Sequence, residues 1–401
     1  MLFSRERNIS WLLFTAVLLA QLPFLSEGYG KEFDAWSNAL NAKTISDTGI
    51  YEVSRLPGHP LYELLLSFFW PINHSYGFFN FLSALATAFS VFMVYRLAVR
   101  LRFQQAFLLA LSFAAIPVFF IAGTYTIDYN FALFFILLAF SQLLSGRSLW
   151  AGICIGIATG FRISSLGFVL PFSLMIGAGW FAIKHIRMWS AAGLTALLAF
   201  ALPLYHYSWG FIDFHKPPFP SWANIIYKMS FGIWGLPLFL LLCAVVAWLL
   251  IKKTKVNWQY NRIKWLNFIM ATGAIVALQL LVFLRLPFKS EFFIPALPFV
   301  WFTLYSFLNK AQAYVVSVVA VLSLLFFGFD YAGSFRGATP GPYAIHFTAG
   351  NKALFMDPLQ GPLLMDQGKR ENKSEFIAEA IDSLESKNEK VWLIAGWYWP
   401  E

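Results

Sequence analysis

Eleven predominantly apolar runs follow one another along this chain, at 9–26, 77–98, 104–123, 129–145, 149–162, 165–183, 189–208, 231–251, 264–284, 291–308 and 311–329. A helix needs about 20 such residues to cross a bilayer. Backbone polar groups find no water there, so each run is expected to satisfy its own hydrogen bonds by coiling. The chain as a whole is 59% hydrophobic and 12% charged, with 45 Phe and 16 Trp. A water-soluble fold of 401 residues could not hide that much apolar surface. The expected fold is an all-α polytopic membrane protein with about 11 transmembrane helices.

The net charge of +9 raises the question of nucleic acid, and its distribution answers it. Basic residues gather between alternate runs: Arg5 and Arg7; Arg96, Arg100 and Arg102; Arg147; Lys184 and Arg187; Lys252, Lys253, Lys255, Arg262 and Lys264; Lys310. Lys and Arg favour the cytoplasmic ends of spans. The alternation therefore predicts a multi-pass protein of the cell membrane, N-terminus cytoplasmic and C-terminus external or periplasmic. The basic charge reports orientation, and no nucleic-acid partner is expected. Cys154 and Cys243 both fall within apolar runs and read as inert packing. The first run has a basic start but no small-residue cleavage site after it, so it reads as an uncleaved anchor.

Residues 1–330 read as the membrane domain, with a long external loop over 27–76. Residues 331–401 read as an external segment rich in turn residues, among them Gly337, Pro340 and Pro342. Ser374 has the position of an N-cap, ahead of an apolar stripe of Phe376, Ile377, Ala380, Ile381 and Leu384. Val391 to Ala395 reads as a buried strand. Together these predict a small external α/β piece. Its lone strand needs a partner, within the tail or in chain beyond it. There is no internal repeat of the kind transporters show, and no span carries paired charges at its centre. Both points count against an ion-coupled carrier.

On this topology ten of the eleven Asp and Glu before residue 331 lie outside, although acids contribute little to orientation. Six of them fall between Glu27 and Glu63. Most read as solvated loop residues. Asp34 is different, because it sits between Phe33 and Trp36 just past the first run. Ala35, Ala39, Ala42 and Ile45 recur at helical spacing and predict a helix over 34–46 on the membrane surface. Pro60 to Pro71 is apolar but too short to span, and predicts a second surface helix behind the turn Leu56-Pro57-Gly58-His59. A carboxylate held between such helices is partly desolvated, which raises its pKa toward that of a useful base. Asp128 lies in the very short link Gly123 to Asn130, at the outer boundary. It can cap the following helix, take part in chemistry, or both.

Cations on the outer face are scarce. Arg55, Arg162, Arg285 and Lys289 stand there against the charge rule. They either neutralise the nearby acids or clamp a phosphate, Arg as a bidentate fork and Lys as a point charge.

Four blocks in order carry a resemblance. They are Asp34-Ala-Trp36 through Gly49, Tyr51 and Arg55-Leu-Pro57-Gly58-His59-Pro60; Thr126-Ile-Asp128-Tyr129; Gly156-Ile-Ala-Thr-Gly160-Phe-Arg162; and Pro287-Phe-Lys289-Ser-Glu291 through Pro298. Over roughly residues 9–310 the chain resembles the GT-C fold integral-membrane glycosyltransferases, nearest the protein O-mannosyltransferases and the lipid A aminoarabinose transferases. The resemblance implies a GT-C type fold with two juxtamembrane helices in the first external loop. It implies a polyprenyl-phosphate-linked sugar donor, a lipid, glycan or protein acceptor, and inversion at the anomeric carbon. Asp34 matches the catalytic first-loop carboxylate, which takes a proton from the acceptor or orients it. Asp128 would position the acceptor or share a cation with Asp34. Many relatives carry two adjacent acids where this chain has Glu32 and Asp34 around Phe33, so Glu32 is a second candidate. Arg55, Arg162, Arg285 and Lys289 are expected on the donor phosphate, and Tyr51, His59 and Glu291 of the same loops are expected with them as substrate- or phosphate-binding residues. Two or three carboxylates could hold Mg²⁺ or Mn²⁺, though no His cluster supports a metal. The competing function is a carrier or flippase for a lipid-linked saccharide, which would need a polar path through the bilayer. A structural or assembly protein would leave the first-loop constellation unexplained.

Overall fold

The computed structural model describes residues 2–177, 182–212, 220–252, 256, 258–260, 263–331, 343–349 and 352–385. Helix occupies each of the eleven apolar runs, in places as two shorter pieces. The first half contains α1 (Leu2–Gln21), α2 (Phe33–Thr48), α3 (Pro60–Phe69), α4 (Tyr76–Arg100), α5 (Ala106–Ala114), α6 (Pro117–Ala122), α7 (Tyr129–Leu144), α8 (Ser148–Phe161) and α9 (Val169–Ile176). Then come α10 (Ile183–Ala199), α11 (Ala201–Tyr207), α12 (Trp222–Met229), α13 (Phe231–Trp234), α14 (Leu236–Lys252), α15 (Trp265–Arg285), α16 (Leu297–Tyr305) and α17 (Lys310–Leu325).

The single helix expected over 104–123 is broken, and Pro117 is the reason. It has no N–H to donate and pushes Ile116 into an extended conformation, φ −64° and ψ 120°. By length and composition alone, α4 and α15 are each able to cross a membrane. The bent pairs 183–210 (53°) and 222–252 (93°) raise that number to four if each is one broken span. Polar side chains between the helices of the bundle bond to one another, which lipid favours. Trp301 Nε1 donates to Ser112 Oγ at 2.9 Å, and that hydroxyl pairs with Tyr305 Oη at 2.6 Å. This joins α5 to α16, and Ser317 of α17 adds a bond to Leu108 O at 3.1 Å.

Both first-loop helices form. The apolar stripe of α2 differs from expectation, because Ala35, Ala39, Ala42 and Ile45 are all buried in the protein. Ala42 packs in one cluster with Tyr62 and Leu66 of α3 and Phe79 of α4. On its polar side α2 holds the loop that follows. Ser37 Oγ donates to Ser54 O at 2.8 Å and Asn41 Nδ2 to Glu52 O at 2.9 Å. Gly49 ends the helix in the left-handed region, φ 68°.

The tail differs more. A three-stranded antiparallel sheet, order β1-β3-β2, is made by β1 (Gly328–Tyr331), β2 (Ile345–Ala349) and β3 (Lys352–Asp357). Asp330 therefore lies within a strand, and the last apolar run leads straight into the sheet. The tail helix α18 spans Pro362–Glu385, so Ser374 is interior to it and not its N-cap. The real start lies after a turn in which Asp357 Oδ1 accepts from the N–H groups of Leu359 and Gln360. Pro362 then opens the helix, where a missing N–H costs nothing. The strand expected at Val391–Ala395 and the turn at Gly337–Pro342 lie outside the described residues.

Candidate active site

The first loop is held in place by an asparagine of α4. Asn80 Nδ2 donates to Leu25 O at 2.9 Å and Gly28 O at 2.8 Å, while its Oδ1 accepts from Thr126 Oγ1 at 2.8 Å. Thr126 N donates to Tyr29 O at 2.8 Å. The loop carrying Asp34 and the link carrying Asp128 are thus bonded to each other.

Asp34 sits in the first turn of α2 and is 2% exposed. Its Oδ2 is ion-paired with both Lys289 and Arg55. Glu32, the residue before the helix, reaches the same Lys289 ammonium. Burial works against the charged form of Glu32, but Lys289 and Lys31 outweigh it and hold the carboxyl at about 2.

Arg55 passes the contact on. Its Nε and Nη2 lie 3.2 and 3.0 Å from His59 Nε2. That nitrogen therefore accepts, and Nδ1 carries the proton and donates to Phe161 O at 2.9 Å. His59 Nδ1 is also 3.5 Å from Asp128 Oδ2. Burial, reinforced by Arg55 and Arg162 and opposed by Asp128, pushes the imidazole down to about 3. Arg162, just past the end of α8, donates from Nη1 to Asp128 Oδ2 at 2.6 Å. Its guanidinium lies over the Tyr129 ring, 3.7 Å from the centroid. Burial disfavours the Asp128 anion, yet Arg162, His59 and Arg55 hold it at about 2. Asp128 occupies the N-cap position of α7 but makes no side-chain capping bond; its charge is used on Arg162.

The structure thus brings together Glu32, Asp34, Arg55, His59, Asp128, Arg162 and Lys289. Three other candidates have different surroundings or partners. Tyr51 donates its hydroxyl to Glu63 Oε2 at 2.6 Å, and Glu63 Oε1 accepts from Ser54 N and Oγ at 2.8 and 2.7 Å. Fully buried Glu63 therefore braces the loop from within, and Tyr51 is bonded to it. Glu291 accepts from Tyr125 Oη at 3.1 Å. Arg285 lies exposed at the end of α15. Sequence reasoning missed Asn80, although an asparagine at the outer end of an apolar run is itself a signal for an interhelical bond.

A divalent cation fits poorly. Among the described residues no three His, Cys, Asp or Glu side chains converge. The carboxylates of Glu32, Asp34 and Asp128 are each already met by a cation.

No protein-family model matches the sequence, and no curated protein matches it. Among solved structures, the crystal structure of ArnT from Cupriavidus metallidurans bound to undecaprenyl phosphate is similar, with a TM-score of 0.52 at 11% identity. The match covers 78% of this chain and 62% of that one. At that identity the likeness concerns the fold. The chain shares the fold of that ArnT structure over the matched part.

Proposed function

We propose that this protein transfers a sugar from a polyprenyl-phosphate-linked donor to an acceptor at the outer face of the membrane, with inversion. The observation that carries the reading is the continuous chain Asp34–Arg55–His59–Asp128–Arg162, built from three separate loops of a fold shared with ArnT.

In this reading the acceptor hydroxyl or amine attacks C1 of the sugar from the face opposite the lipid phosphate. The bond from the acceptor atom to C1 forms as the bond from C1 to the phosphate oxygen breaks. The electron pair leaves with the phosphate and the acceptor proton goes to Asp34. Protonation neutralises Asp34, so Arg55 loses its anion and Lys289 keeps only Glu32 just as charge builds on the leaving phosphate. The same two cations then stabilise that phosphate, the kind of preplaced charge that lowers a barrier most. Asp128 is held by Arg162 and serves as an acceptor-positioning group. Neutral His59 links the two carboxylate sites without adding a charge.

The test uses purified protein, undecaprenyl-phosphate-linked sugars and a panel of lipid, glycan and peptide acceptors. Loss of a general base costs about 10²–10⁴-fold, so Asp34→Asn is expected to fall by that much while still binding undecaprenyl phosphate. Transfer at the wild-type rate by Asp34→Asn removes Asp34 as the base. A wild-type protein that moves the labelled lipid across vesicles and forms no glycoside is a carrier instead.

A further inference from the structure

The tail helix reaches the roots of both carboxylate-bearing loops. Arg370 of α18 is 1% exposed. Its Nη1 donates to Phe24 O at 3.0 Å, where α1 gives way to the first loop, and to Thr124 O at 3.1 Å, just past α6. Its Nη2 donates to Thr124 Oγ1 at 3.3 Å. Its charge is balanced by Asp366, one turn back, at 3.1 Å. Asp366 in turn takes Lys31 at 2.6 Å, the neighbour of Glu32. Lys373, three residues on, donates to Lys31 O at 3.0 Å.

We propose that Arg370 is a positioning residue for the transfer reaction. From the tail it clasps the Asp34-bearing loop to the Asp128-bearing link, adding to the bonds made by Asn80. The inference rests on the glycosyltransferase reading for its kinetic part only. One guanidinium can bridge two carbonyls of different loops because its N–H donors form a rigid fork; an ammonium has no such fork. Removing it leaves buried carbonyls unpaired and lets the two loops move independently. A reacting-group displacement of about 1 Å costs roughly 10²-fold in turnover.

Lys369 supplies the control. It lies on the same helix but pairs with Asp330 of β1, so it anchors α18 to the sheet and not to the loops. Arg370→Gln, Arg370→Lys and Lys369→Gln are purified as full chains and tested with the undecaprenyl-phosphate-linked sugar that the wild type uses. Arg370→Gln is expected to lose about tenfold or more in kcat with donor KM little changed, and Arg370→Lys to recover part of the loss. Lys369→Gln is expected to stay within about twofold. Hydrogen exchange provides a readout free of activity. The Thr126 amide, bonded to Tyr29 O across the two loops, should exchange faster in Arg370→Gln and remain protected in Lys369→Gln. Equal losses in Arg370→Gln and Lys369→Gln, or unchanged Thr126 protection in Arg370→Gln, overturn the clasp. If Arg370→Gln does not fold, the exchange of Thr126 in Arg370→Lys decides in the same way. If the wild type transfers no sugar, the functional reading fails while the exchange result still decides the clasp.

Discussion

Lys289 is one ammonium shared by two carboxylates, Glu32 and Asp34, with Arg55 as the second cation on Asp34. Replacing it by Met leaves buried Asp34 with Arg55 alone and takes from Glu32 its ion-pair partner, leaving the more distant charges of Lys31 and Lys228. Breaking such a buried pair costs about 3–5 kcal/mol, so Lys289→Met should lower both the melting temperature and kcat, and Lys289→Arg should restore part of each. His59 gives a pH prediction. Its ordinary value is 6.5 and in the fold it lies near 3. Between those values the unfolded chain takes a proton that the folded protein refuses, so stability falls as pH drops from 6.5 toward 3. The slope is roughly 1.4 kcal/mol per pH unit for one proton. Glu32 and Asp128, depressed from 4.5 and 3.8 to about 2, contribute stability that is intact above those ordinary values and lost only below them. From pH 6.5 to about 5 the loss therefore belongs to His59 among these three. Melting curves in detergent should fall across that window in the wild type and flatten in His59→Gln; an unchanged slope in His59→Gln overturns the assignment. The candidate residues were legible as types in the right loops. Their pairings were not, because Lys289 and Asp34 lie 255 positions apart. The bonds of Tyr51 to Glu63 and of Tyr125 to Glu291 were hidden for a related reason: a sequence shows a polar group but not its buried partner.

At the scale of elements, α8 shows how little room the site's scaffold has. Gly152, Gly156 and Gly160 recur every fourth residue, so they line one face, and that face lies on α10. A Cβ on Gly156 would meet Thr195 Cβ at 2.4 Å and Ala192 O at 2.9 Å; one on Gly152 would meet Met188 O at 2.3 Å. Backbone, not a flexible side-chain tip, is what stands in the way. The far end of α8 delivers Phe161, whose carbonyl holds His59, and Arg162, which holds Asp128. Gly156→Leu should therefore lose stability by about 1–3 kcal/mol or more from overpacking, read as a lower melting temperature, and lose transfer activity with it. Gly156→Ala should do the same to a smaller degree. A Gly156→Leu protein with wild-type melting and turnover would show that the close approach is not needed. The glycine repeat was visible in the sequence, but its partner was not. The structure shows it to be α10. In the tail, Asp357 and Pro362 set the start of α18 twelve residues before Ser374, and a polar, unpatterned first half hid that start from periodicity.

For the molecule as a whole, element order separates two ends. The C-terminal ends of α1 and α8 and the N-terminal ends of α4 and α7 meet around Asp34, Asp128 and Arg162. The opposite ends of those same helices carry Arg7, Arg100 and Arg147. Arg100 also donates to Ser141 O at 3.0 Å near the far end of α7, which fixes α4 and α7 in antiparallel register. An acid-rich end and a basic end on one bundle is what the charge rule turns into orientation. The basic end is expected to face the cytoplasm and the site to face outward, where a lipid-linked donor would be presented. Single cysteines in a Cys243→Ser background test this, with buried Cys154 left in place. Asp47 is exposed near the end of α2, and Gln104 is exposed in the turn between α4 and α5. In right-side-out vesicles a membrane-impermeant maleimide should label Asp47→Cys at once and Gln104→Cys only after permeabilisation. The reverse pattern would place Asp34 and its cations on the cytoplasmic side, and the donor would then have to be one that is loaded and used on the inner leaflet.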